Sequence, residues 1–63
     1  MTVGQRVRLE RIRLGLTQEE LARVARVHRY TIMDVEADRR HMQPMTIHKL
    51  ASALGIDPQE LLR

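Results

Sequence analysis

Twenty residues, Thr17 to Glu36 (TQEELARVARVHRYTIMDVE), leave this chain little freedom: they read as two short amphipathic helices with about four residues between them. So short a link permits only an abrupt change of direction, which is the helix-turn-helix arrangement. Thr17-Gln18-Glu19-Glu20 opens the first helix as a capping box, with Thr17 covering the Glu20 amide while the Glu20 carboxylate reaches back. Leu21, Val24 and Ala25 form its expected buried face, and Ala22 is small enough to admit a neighbouring helix. The second helix, about 29–37, places Ile32, Val35 and Glu36 on one side and Arg29, Tyr30, Met33 and Asp34 on the other.

The flanking sequence extends the same pattern. Thr2 caps a first helix with Gln5 answering three residues later, and that helix runs to about Leu14 before Gly15 stops it. Val3, Val7 and Leu14 share its inner face, and Arg11 falls in the same row, where a guanidinium needs a partner. After the polar, basic loop Asp38-Arg39-Arg40-His41-Met42-Gln43, Pro44 suits the first turn of a fourth helix whose stripe is Ile47, Leu50, Ala51 and Leu54, ended by Gly55. Asp57-Pro58-Gln59-Glu60 marks a short fifth helix, with Asp57 as cap and Glu60 closing the box. With no Phe, no Trp and one Tyr, the core is built from aliphatic side chains and Met, which in 63 residues pack best as helix on helix. The expected fold is all-α, five helices in a single domain over residues 1–63.

These residues resemble the phage-repressor and Cro type of helix-turn-helix, the xenobiotic-response-element-like regulators of bacteria and phages. The resemblance covers nearly the whole chain: Val7, Arg11, Gly15-Leu16-Thr17-Gln18-Glu19-Glu20-Leu21-Ala22, Thr31-Ile32, Glu36 and Leu50-Ala51-Ser52-Ala53-Leu54-Gly55. It implies a lambda-repressor-like fold and a sequence-specific regulator of transcription whose recognition helix, about 29–37, enters the major groove of double-stranded DNA. It puts Arg29, Tyr30, Met33 and Asp34 at base edges: Arg29 forking onto guanine, Met33 on a thymine methyl, Asp34 accepting from cytosine or orienting Arg29. It likens Gln18 to a phosphate-holding glutamine at a helix N-terminus, and it pairs Arg11 with Glu36 as a structural ion pair. Two positions depart from the pattern. Arg26 stands where the family has Gly, so that either a left-handed Arg26 costs about 1 kcal/mol or the turn is remodelled, and His28 replaces the usual Ser or Thr cap of the recognition helix.

Charge agrees with a polyanionic partner: the formal net charge is +3, and ten of the eleven basic residues are Arg, which forks onto phosphate and guanine. Arg39, Arg40 and His41, in the loop after the recognition helix, are placed to meet backbone phosphates. A homodimer is the expected assembly, with two recognition helices about 34–36 Å apart and with Leu61, Leu62 and exposed parts of the last two helices in contact. The alternative is a protein partner: an adaptor or antitoxin that uses the fold with little base readout, favoured by Asp34 and Asp38 beside the basic residues. No enzyme, cofactor or metal is expected, since His28, His41 and His48 are not spaced as ligands, there is no Cys, and Ser52 lacks a nucleophile elbow. Without a signal-like or membrane-spanning run, a cytoplasmic, nucleoid-associated place is the expectation.

Overall fold

The computed structural model describes residues 1–62, and among them five helices follow in order: α1 (Val3–Arg13), α2 (Gln18–Ala25), α3 (Arg29–Glu36), α4 (Pro44–Leu54) and α5 (Pro58–Leu62). The start signals work as the sequence predicts. Thr2 and Thr17 each accept from the backbone amide three residues on, and Gln5 and Glu20 each accept from the cap amide, so both capping boxes are closed. Asp57 caps α5 through the Gln59 amide (2.8 Å), one residue earlier than a box with Glu60 requires. The stops are left-handed backbone at Gly15 and Gly55, which glycine adopts without steric cost.

Helix α2 packs between α3 and α4, while α1 lies across α3 and α5 closes against α4 and α1. Their shared core is Val7, Leu21, Ala22, Ala25, Ile32, Val35, Leu50, Ala51, Leu54 and Leu61, all aliphatic. Ala22 and Ala25 let the axes approach, as small residues on an inner face do.

Three residues stand elsewhere than the pattern predicts. Leu14 is 52 % exposed, because it caps α1 and lies beyond its packed face, and Val24 is 57 % exposed, because the inner arc of α2 is Leu21, Ala22 and Ala25. Leu61 is fully buried and so is core, which removes it from the expected surface between copies; Leu62 is exposed.

A polar tie joins the start of α1 to the end of α3. Asp38, just past α3, receives the Thr2 hydroxyl (2.7 Å) and the Gly4 amide (3.1 Å), so a carboxylate sits at the positive end of α1. A Cβ on Gly4 would overlap the Val35 carbonyl oxygen and lie 2.6 Å from Asp38 Oδ1, so only glycine lets α1 and α3 come this close.

Candidate nucleic-acid interface

Helix α3 is anchored on one side and free on the other. Ile32 and Val35 are buried, whereas Tyr30 is 55 % and Met33 38 % exposed, and Arg29 also faces solvent. Two local features fix its first turn. His28 is its cap: Nδ1 accepts from the Tyr30 amide (3.2 Å), so the imidazole does what Ser or Thr does elsewhere. The His28 ring also stacks on the Tyr30 ring (centroids 4.9 Å apart, planes 16° apart), and the Arg29 guanidinium lies 5.3 Å from the Tyr30 ring centre. The preceding turn keeps left-handed backbone at Arg26 (φ 60°, ψ 45°), so the first of the two outcomes open from sequence is realised and the turn is not remodelled.

Charge along this face is largely self-compensated. Arg29 lies 3.5 Å from Glu19 at the start of α2, and the Tyr30 side chain first, then Glu19, holds its pKa above the ordinary arginine value. Asp34, one turn after Tyr30, faces Arg40 (3.4 Å) and Arg39 (3.8 Å) rather than Arg29. The Arg39 amide donates to the Asp34 carbonyl (2.8 Å), which fixes the root of the basic loop on the end of α3. His41, further along the loop, is exposed.

Behind this surface lies the paired guanidinium and carboxylate. Arg11 Nε and Nη2 donate to the two Glu36 oxygens (2.7 and 3.0 Å), and its Nη1 donates to the Leu16 carbonyl (2.8 Å). The Glu36 hydrogen bond raises the Arg11 pKa, against the opposing effect of burial. Gln18 belongs to the same cluster: its Nε2 donates to Glu36 Oε1 (3.2 Å). It precedes Leu21 by three residues and Ala22 by four, and so shares their inner face.

Sequence reasoning missed two charged residues. Glu10 is only 5 % exposed and holds Arg6 (3.0 Å) and Arg13 (3.3 Å). Its signal was present, since it lies three residues after Val7 on the inward side of α1. Asp38 gave no such signal, because its partners Thr2 and Gly4 are remote in sequence. Among the described residues no cluster of His, Asp or Glu is arranged to hold a metal ion, and no helix is long and apolar enough to cross a membrane.

Known proteins share this arrangement. The helix-turn-helix domain family matches residues 2–63. The immunity repressor protein of Bacillus phage phi105 is 43 % identical over 56 residues, which is 89 % of this chain and 39 % of that protein. Control protein C.BamHI of Bacillus amyloliquefaciens is 38 % identical over 60 residues, covering 94 % of this chain and 74 % of that one. The chain thus spans about two fifths of the phage repressor and three quarters of the control protein. Among solved structures, the restriction-modification controller protein C.AhdI from Aeromonas hydrophila superposes with a TM-score of 0.91 at 42 % identity, over 94 % of this chain and 89 % of that one. The biofilm master regulator SinR, solved in complex with DNA, has a TM-score of 0.95 at 24 % identity over 98 % of this chain and all of that one, a likeness of fold. The family match over almost every residue, together with these two relatives, places the chain: it belongs to the helix-turn-helix domain family, in its phage-repressor and Cro branch.

Proposed function

We propose that this chain is a sequence-specific regulator of transcription that binds double-stranded DNA with α3 in the major groove and acts in a repressor-like way. One observation carries the reading: the first two turns of α3 present Arg29, Tyr30 and Met33 outward while Ile32 and Val35 fix its back to the core. Arg29 meets guanine, Met33 a thymine methyl and Asp34 a cytosine amino group, with Tyr30 beside them. Arg39, Arg40 and His41 meet phosphates, about one 12-Å helix length from the first turn. Gln18 brings its amide to the phosphate end of α2 while it keeps its bond to Glu36. Two copies bind together, with exposed Met45 and Leu62 on the α4–α5 side as their contact. The reading gives the chain no catalytic role and places it in the cytoplasm with the nucleoid.

Binding-site selection from a random duplex library, followed by titration of single variants, tests this. Arg29→Ala should cost about 1–3 kcal/mol on the selected site and relax preference at one base, while Arg39→Ala should weaken every duplex alike and lower the salt slope by about 1. An absence of binding to any duplex at low salt would instead favour the adaptor reading, to which the carboxylates of Glu19 and Asp34 on this face lend support.

A further inference from the structure

We infer that Asp34 is a selectivity gate: its carboxylate occupies Arg39 and Arg40 in the free protein and penalises phosphate contact except where a base donor takes that carboxylate over. This rests on the DNA-binding reading and names a residue that sets its specificity.

The placement carries it. Asp34 is the acidic residue on the outward side of α3, and both arginines of the following loop converge on it, Arg40 Nη2 at 3.4 Å from Oδ2 and Arg39 Nε at 3.8 Å from Oδ1. The three side chains remain 36 %, 46 % and 66 % exposed, so the contacts can open without unpacking the core. Glu19 stands toward Arg29 in the same way, at 3.5 Å. Of the three positive charges on this face, two are therefore matched by the protein's own carboxylates.

Duplex DNA carries one phosphate charge per about 1.7 Å of axis, and non-specific binding is almost entirely this electrostatic attraction. For Arg39 and Arg40 to reach phosphate they must leave Asp34, or else bring the phosphate beside a carboxylate. On a random duplex a cytosine amino group stands at the right position only by chance, so on average the cost is not offset. On a site that offers a cytosine amino group in reach, the carboxylate gains a donor as the arginines depart. The exchange weakens all duplexes but the matching one, which separates target from background more sharply than added positive charge would.

The experiment is fluorescence anisotropy with the whole chain at low and moderate salt, on a random-sequence duplex and on a duplex obtained by selection. Two exposed ion pairs of modest strength end on Asp34, so Asp34→Asn should tighten random-duplex binding about three- to tenfold, with no comparable gain on the selected duplex. The target-to-random ratio then falls. Asp34→Glu, which keeps the charge, should stay near the parent, and in a chain already carrying Arg39→Ala and Arg40→Ala, Asp34→Asn should bring no gain over that double variant. Unchanged or weaker random-duplex binding by Asp34→Asn overturns the gate, as does an equal gain on both duplexes or a gain that survives loss of both arginines. Parent and Asp34→Asn both failing to bind any duplex at the lowest salt would overturn the DNA-binding reading, and the gate with it.

Discussion

Glu36 is the residue on which the interior's polar order converges. It accepts twice from Arg11 and once from Gln18, and Arg11 in turn ties down the Leu16 carbonyl ahead of α2. Removing one partner of a buried pair strands the other, at a cost of about 3–5 kcal/mol, a large share of the stability of so small a domain. Glu36→Ala should therefore be largely unfolded at room temperature, or show a urea midpoint lowered by most of its value, in circular dichroism. Arg11 and Glu36 were legible in the sequence because Arg11 broke an apolar row and the family pairs these positions. Glu10 carried the same inward spacing after Val7, but Arg6 and Arg13 at helical spacing mask it as one more solvated pair.

At the scale of elements, the helix starts and stops could be read almost residue by residue, since caps are local chemistry between neighbours. The turn between α2 and α3 is the exception within that success. Arg26 holds a left-handed backbone that glycine adopts freely and an L-residue adopts at a cost of about 1 kcal/mol or more. Arg26→Gly should raise the unfolding free energy by about 1 kcal/mol, which a thermal melt reads as a shift of about 4–8 °C.

The α2 cap carries a pH dependence. Hydrogen bonding to Thr17, from its backbone amide first, holds the Glu20 carboxyl below the ordinary glutamate pKa. A lowered folded pKa means the contribution is whole above the unfolded value of about 4.3 and disappears as the pH falls through the folded one. Urea titrations at pH 7 and near pH 3 should show Glu20→Gln losing less stability on acidification than the parent. Misplacing Val24 and Leu14 had a different origin: helical period says which residues share a face, and only the packed neighbours say how wide that face is.

For the whole molecule, the sequence implied both a basic character and its target, yet the distribution of charge needed coordinates. Glu19 and Asp34 belong to the first turn of α2 and the last turns of α3, and their opposition to Arg29, Arg39 and Arg40 follows from how those elements meet. Each phosphate contact steepens the log–log dependence of affinity on salt by about 0.9, so Arg39→Ala with Arg40→Ala should flatten that slope by about 1.8 on selected and random duplexes alike. A flattening well short of this would place the phosphate contacts elsewhere on the surface. The buttress formed by Asp38 bears on how the protein is handled: the first four residues and the basic loop, 36 positions apart, share one set of hydrogen bonds. A purification tag that drew Thr2 out of its cap would leave Asp38 only the Gly4 amide, and the loosening would register 36 positions away, where the loop leaves α3.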